Sequence, residues 1–353
     1  QGTSFAFIPI MLPFKAFGLG AIFTAAFIGG IFQIWIGKML KPIRHMFPPL
    51  VTGIVVLMIG ISLLKVGFKY AGGGVWLMNN KPEIFANWHH LTIAGTVLIV
   101  ALLTNLRGKG MVSAASILIG IIAGFIVAAV LGEIRWGKIA AADWFAFPMP
   151  LQYGIDFVWG AVILMLFMSV VTTIETIGDI SATTMGGANR EATDKELSGG
   201  IMADGVGTAF ASIFNAMPNT SYSQNAGLVA FTGVISRHVG TVAGVILILL
   251  GLFPKLGGVI AAMPDSVIGG AAIIMFGLIA GAGIKLISKS EMSQRNILIL
   301  SLSLSFGIGL YAFPEFVAHV PDLGIKLGLL LTTGLIPAGL LAFILNATLP
   351  NKK

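Results

Sequence analysis

The chain has 353 residues, of which 56% are hydrophobic and only 10% charged, with 46 glycines and a formal net charge of +7; its mean hydropathy is +0.96. No water-soluble domain of this size is so poor in charge, so composition excludes a soluble enzyme or binding module and points to a multi-pass protein of the cytoplasmic (inner) membrane. The absence of cysteine excludes a disulfide framework, a thiolate metal site and a Cys nucleophile, and the modest positive charge does not suggest nucleic acid.

The sequence opens at Gln1 on an apolar stretch, with neither a signal peptide nor a leading soluble segment, the pattern expected of an N-terminally truncated chain. Apolar runs of roughly 17–25 residues cross a bilayer. On that basis spans are expected near 4–14, 17–37, 48–64, 91–104, 112–132, 157–185, 198–216, 222–236, 239–253, 266–284, 296–313 and 325–346, with 4–14 and 222–236 irregular. Alternation puts the loops 38–47, 105–111, 186–197, 237–238 and 285–295 and the tail 347–353 on one side. Together they hold 13 of the 21 Lys and Arg residues, so that side is cytoplasmic by the positive-inside rule.

An internal repeat accompanies this pattern. Thr3-Ser4-Phe5 answers Thr220-Ser221-Tyr222, and Phe47-Pro48-Pro49-Leu50 answers Met263-Pro264-Asp265-Ser266, at offsets of 217 and 216. Seven crossings separate Pro48 from Pro264, and an odd number inverts the second copy. Inverted repeats place substrate near the midplane where their broken segments meet, so Ser4-Phe5 is expected to face Ser223-Gln224.

The stretch from Pro218 to Arg237 carries turn and strand chemistry at membrane depth and sets Gln224 beside Asn225. An unpaired amide there costs several kcal/mol, so such a segment lines a polar cavity or bonds to neighbouring helices. The carboxylates well inside spans are Glu175, Asp179 and Asp204, and a carboxylate at that depth is a functional candidate by default. Glu175 and Asp179, four residues apart, share a helix face; Asp179 could instead cap a helix end, and Asp204 could hold hydroxyls between helices. His89-His90 sits beside Trp88 as an interfacial pair, no histidine has metal-ligand spacing, and no Gly-x-x-x-x-Gly-Lys-Ser/Thr run couples the chain to nucleotide hydrolysis.

The block Gln224-Asn225-Ala226-Gly227-Leu228-Val229-Ala230-Phe231-Thr232-Gly233 resembles the signature of the nucleobase–ascorbate transporter family, the xanthine/uracil permease type of nucleobase:cation symporter. In that signature Gln, Glu or Pro is followed by Asn, any residue, Gly, four residues and Thr. The resemblance extends through Glu175-Thr176-Ile177-Gly178-Asp179, Ala203-Asp204-Gly205 and Gly2-Thr3-Ser4-Phe5 and covers essentially the whole chain. It implies an all-α fold of fourteen spans in two inverted repeats of seven, with two broken spans meeting as short antiparallel strands. About twelve of the fourteen are present here, and the chain by itself is not expected to transport.

The resemblance also implies a core domain (1–47 and 151–255) moving against a gate domain (48–150 and 256–353). Glu175 and Gln224 would hold the nucleobase, Phe5 and Ser223 would offer backbone groups, and Asp179 and Asp204 would serve proton coupling and site organisation. Ser4, Asn225, Gly227 and Thr232 would be specificity or motif positions. Uracil carriers of the family tend to have Glu where this chain has Gln224, and ascorbate carriers Pro, so the purine branch, xanthine or urate, is expected. The implied activity is proton-coupled symport, with sodium as the alternative ion and a uracil permease as the alternative substrate class. No cofactor and no metal is expected, and a homodimer through the gate domains is compatible with the family. An enzyme is not expected: in an intramembrane aspartyl protease with Asp179 and Asp204 as dyad, Thr176-Ile177-Gly178-Asp179 would lack the first Gly of Gly-x-Gly-Asp.

Overall fold

Proline and glycine punctuate this apolar chain into helices, and the caps are local. Pro49 stands at the first position of a helix, where its missing N–H is no loss. Asn87 and Ser293 accept from the backbone N–H groups of His90 and Asn296. Thr193 and Glu196 close a reciprocal capping box, with the Arg190 guanidinium on the Glu196 carboxylate. That cation holds the Glu196 carboxyl well below the usual carboxylate range.

The computed structural model describes residues 1–11, 14, 17–39, 48–222, 225, 229, 232–319, 328 and 331–350, apart from the side chains of Phe5, Pro9 and Ala318. Strand β1 (Gly2–Thr3) leads through a 3-10 turn (Phe5–Phe7) into the short α1 (Ile8–Met11). Helices α2 (Leu19–Lys38), α3 (Pro49–Ala71), α4 (Trp88–Arg107) and α5 (Ser116–Val130) follow. The second half contains α6 (Trp159–Ala188), α7 (Asp194–Ile213), β2 (Asn219–Thr220) and α8 (Arg237–Gly251). It ends with α9 (Pro254–Ala262), α10 (Asp265–Ile287), α11 (Gln294–Ala312) and α12 (Leu335–Thr348).

Among the described residues six helices, α2, α3, α4, α6, α10 and α11, are long and apolar enough to cross a membrane, and α8 with α9 is apolar enough only as a pair, bent by 78° at a short break. Three of the other expected spans are helices that length and hydropathy do not single out. Helices α5 and α12 are short and apolar. Helix α7 carries Asp194, Lys195, Glu196 and Asp204; β1 and β2 precede the expected spans 4–14 and 222–236, and part of the latter lies outside the described residues.

The repeat is visible in matched elements. Helices α3 and α10 have 23 residues each, follow Pro48 and Pro264, and start 216 positions apart. The equivalent strands β1 and β2 pair with each other and run antiparallel, Gly2 opposite Thr220 and Thr3 opposite Asn219. Equivalent segments that meet antiparallel belong to copies of opposite direction, so the repeat is inverted.

Close backbone approach at glycine joins the helices, as expected where lipid supplies no hydrophobic drive between them. A Cβ on Gly205 of α7 would stand 2.6 Å from the Gly30 carbonyl oxygen of α2, and one on Gly283 of α10 would stand 2.4 Å from the Leu57 nitrogen of α3. Helix α2 also packs against α6, where the Ser169 hydroxyl donates to the Gly29 carbonyl at 3.0 Å. Helix α8 buries none of its residues.

Two glycines of α10 give a paired test. Gly283→Ala drives a methyl group into the α3 backbone and is expected to destabilise the protein by about 1–3 kcal/mol. At Gly277 nothing lies within 4 Å of the added Cβ, so Gly277→Ala is expected to be neutral or stabilising by roughly 0.5 kcal/mol. Thermal unfolding followed by size-exclusion chromatography in detergent separates the two; equal melting temperatures would show that the α3–α10 contact is looser than described.

Candidate functional site

The site is built on the strand crossing. Beyond the two paired residues, the Ser4 N–H donates to the Pro218 carbonyl at 3.0 Å, so Ser4 stands across from Pro218. The expected facing of Ser4-Phe5 and Ser223-Gln224 rests on residues 223 and 224, which lie outside those described. Ser4 is buried, and its hydroxyl oxygen accepts from the Ala6 N–H at 3.2 Å, capping the turn that Phe5 opens.

Strand β2 is anchored to α7 by Asn219. The Thr208 hydroxyl donates to the Asn219 side-chain oxygen at 2.9 Å and accepts from the Asn219 N–H at 3.2 Å. Gly207 leaves the space, since a Cβ there would lie 2.6 Å from the Asn219 amide nitrogen. On the other side the Tyr222 hydroxyl donates to the Thr3 carbonyl at 2.7 Å. Its ring lies over Gly2, where a Cβ would stand 2.8 Å from the phenol oxygen.

Three carboxylates gather beside this crossing. Asp179 on α6 is buried and accepts from the Ser221 hydroxyl at 2.7 Å. Asp204 on α7 is fully buried, and one of its oxygens accepts a short hydrogen bond from the Thr176 hydroxyl. Its other oxygen has no hydrogen-bond partner among the described residues. Ser221 and Thr176 are 3.5 Å apart, oxygen to oxygen. Glu175 lies one turn before Asp179 on α6, half-buried, and no donor among the described residues meets its carboxylate.

The structure thus brings Asp179, Asp204, Ser4 and the backbone of Phe5 to one place, with Glu175 on the same helix. Gln224, Ser223 and Gly227 lie outside the described residues. Asn225 is exposed and its N–H donates to the Tyr222 carbonyl at 3.0 Å; Thr232 is exposed, with its hydroxyl oxygen accepting from the Val234 N–H. Sequence reasoning passed over the hydroxyls that meet the carboxylates, Thr176 and Ser221, and the Thr208–Asn219 pair that anchors β2. It also missed Gln33 of α2, fully buried and 3.5 Å from the Thr172 hydroxyl. A lone Gln in an apolar span was the available signal.

Near Glu175, an apolar crevice lies where α3, α6 and α12 meet, lined by Val51 and Val55, Phe167, Val171 and Ile174, and Gly339 and Phe343. On the face away from the crossing, His89 and Glu133 pair at 3.2 Å. No three His, Asp or Glu side chains among the described residues are grouped to hold a metal ion.

Solved structures with the same chain path fix the fold. The structure of SLC26A9 superposes with a TM-score of 0.56 at 16% identity, over 82% of this chain and 48% of that one. The transmembrane domain of a cyanobacterium bicarbonate transporter, BicA, superposes with a TM-score of 0.51 at 14% identity, over 97% of this chain and 80% of that one. Sequence similarity is higher elsewhere. The xanthine permease XanP of Escherichia coli (strain K12) is 33% identical over the whole of this chain and 78% of its own length. The uric acid permease PucJ of Bacillus subtilis (strain 168) is 32% identical over 98% and 77%, and the xanthine permease XanQ of Escherichia coli (strain K12) is 32% identical over 99% and 77%. The profile described as "Permease family" matches residues 1–316, and the chain belongs to that family, the xanthine and uracil permease type of nucleobase–ascorbate transporter that its Gln-Asn-x-Gly block resembles.

Proposed function

We propose that the protein is a secondary active transporter that carries an oxidised purine, xanthine or urate, across the cytoplasmic membrane in symport with protons. The observation that carries this reading is whole-chain similarity to relatives named as xanthine and uric acid permeases, in a chain with Gln at position 224. Three intramembrane carboxylates beside a strand crossing support the same reading, because inverted-repeat transporters bind at such crossings.

The chemistry of the purine edge suits these groups. A purine-dione alternates N–H donors with carbonyl and ring-nitrogen acceptors. Glu175 as a carboxylate accepts two N–H bonds, and it has no donor among the described residues to compete for it. The Gln224 amide offers one donor and one acceptor, whereas an ionised carboxylate at that position would only accept. Phe5 and Ser223 would supply backbone groups, with Asn225 adjusting specificity from beside them. Ser4, Gly227 and Thr232 complete the motif positions.

Transport in this reading is movement of a core, with α2, α6 and α7 packed together, against a gate containing α3 and α10. The apolar crevice between α3 and α6 is the kind of contact that can slide without breaking hydrogen bonds. Coupling follows from linkage: protons and purine bind cooperatively when each favours the same state.

The direct test is binding of xanthine, urate and uracil to the full-length protein. The native protein is expected to prefer a purine, and Gln224→Glu to weaken xanthine binding at least about tenfold, the scale of one lost hydrogen bond to a buried polar group, while the protein stays folded. Best binding of uracil by the native protein would favour a pyrimidine carrier and remove Gln224 as the purine-selective ligand.

Glu175→Gln keeps the shape and removes the charge. Loss of xanthine binding by roughly 10–100-fold is expected, since a hydrogen bond to a charged group contributes about 1.5–3 kcal/mol. Isothermal titration measures it, and unchanged affinity would place the purine elsewhere.

A further inference from the structure

Helix α6 contains a run of hydroxyl residues, and nearly all of them bond back to their own helix. Thr172 donates to the Met168 carbonyl, Thr173 to Ser169, Ser181 to Ile177 and Thr184 to Ile180, while the Ser169 hydroxyl stands between the Met165 carbonyl and that of Gly29 on α2. This is the ordinary way for a hydroxyl to be satisfied in a membrane helix. Thr176 is buried in the middle of the run and breaks the pattern, donating across to Asp204 of α7. Its oxygen also stands 3.5 Å from Ser221, whose hydroxyl reaches Asp179 at 2.7 Å. The groups form one chain: Asp179, Ser221, Thr176, Asp204.

We propose that Thr176 and Ser221 are a proton relay that passes the coupling proton between Asp179 and Asp204, so that the two carboxylates share one proton during transport. The proposal rests on the proton-symport reading above. In the arrangement observed both hydroxyls point outward, Ser221 to Asp179 and Thr176 to Asp204, which suits two ionised carboxylates. A proton arriving on Asp179 makes its carboxyl a donor to the Ser221 oxygen. Ser221 then turns to donate to Thr176, and Thr176 already donates to Asp204. Transfer of one hydrogen along each of the three bonds leaves Asp179 ionised and Asp204 neutral; each hydroxyl gives up one proton and receives another, so atoms and charge balance.

Position and surroundings favour this role over a static one. Asp204 is fully buried, and the Thr176 hydroxyl meets one of its oxygens. Ser221 directly follows β2 while Thr176 belongs to α6, so the contact between them joins two elements. A shift of the strand crossing against α6 lengthens that 3.5 Å contact and opens the relay. The titratable group beside the relay is Glu175, one turn from Asp179.

The test uses the full-length protein in proteoliposomes, with Thr176→Val, Thr176→Ser, Ser221→Ala and the native sequence. Three quantities are read: xanthine exchange without a gradient, accumulation driven by an acidic outside, and substrate-linked proton entry with an internal pH dye. Thr176→Val and Ser221→Ala are expected to keep exchange and to lose gradient-driven accumulation and proton entry by at least about tenfold, the lower range for loss of a positioned proton-transfer group. Thr176→Ser is expected to restore both. Ser221→Ala leaves the Thr176 to Asp204 bond in place, so it reports on the relay even if Thr176→Val fails to fold. Accumulation at the native level in Ser221→Ala or a folded Thr176→Val overturns the relay while leaving proton symport standing. Parallel loss of exchange and accumulation overturns it also, since the hydroxyls would then hold structure or substrate. If the native protein itself accumulates xanthine only with sodium, the symport reading fails and the relay with it.

Discussion

Everything near the centre of this protein depends on one constraint: backbone polar groups at membrane depth must be paired inside the protein. Two strands of two residues cross there, and so short a ladder cannot hold itself. It is held by what surrounds it. The Thr208 hydroxyl and the Asn219 amide fix β2 to α7, the Ser4 N–H extends the pairing to Pro218, and the Tyr222 phenol takes up the Thr3 carbonyl. Each of these bonds removes a polar group from competition with lipid, and together they decide where the flanking helical turns begin. The carboxylates Asp179 and Asp204 are then reached by side chains on or next to the same strand and helices.

A second constraint follows from the first. Strands pinned between helices keep their geometry only if those helices are rigid neighbours, and in lipid that rigidity comes from contact area rather than from expulsion of water. Small residues supply it. Gly30 and Gly205 let α2 and α7 touch backbone to backbone, and Gly53, Gly60 and Gly283 do the same for α3 and α10. The boundary between α3 and α6 is an apolar crevice that α12 also lines, where Gly339 packs against Phe167 of α6 and Val55 of α3.

Much of this was legible in the sequence because it is carried by local patterns. The Pro48 and Pro264 blocks, 216 positions apart, became the starts of two helices of equal length, and the Thr-Ser-aromatic blocks became the two strands. Pairing was foreseeable, since broken halves of an inverted repeat meet, but the register was not: Ser4 sits across from Pro218 because of hydrogen bonds that no spacing records. The 78° bend between α8 and α9 is another such case, with Pro254 marking the restart but not the angle. The hydroxyl groups around the carboxylates escaped notice for a simple reason. Thr176 looks the same in sequence as Thr172 and Thr173, and only the packing of α7 against α6 turns its hydroxyl outward to Asp204.

The three carboxylates are therefore not equivalent, and the difference comes from position on two helices. Asp179 and Asp204 are enclosed and tied through Ser221 and Thr176, so a change of charge on one is felt by the other across two hydroxyl groups. Glu175, a single turn from Asp179, faces no such donor among the described residues and keeps its lone pairs for something from outside. In the proposed function the open carboxylate on α6 would recognise the ligand, and the linked pair, Asp179 on α6 and Asp204 on α7, would hold the proton. Because Asp179 is only one turn from Glu175, the charge held by the closed pair alters the field at the open one. In the proposed symport, coupling between the two would need no long path through the protein, only the 3.6-residue period of α6.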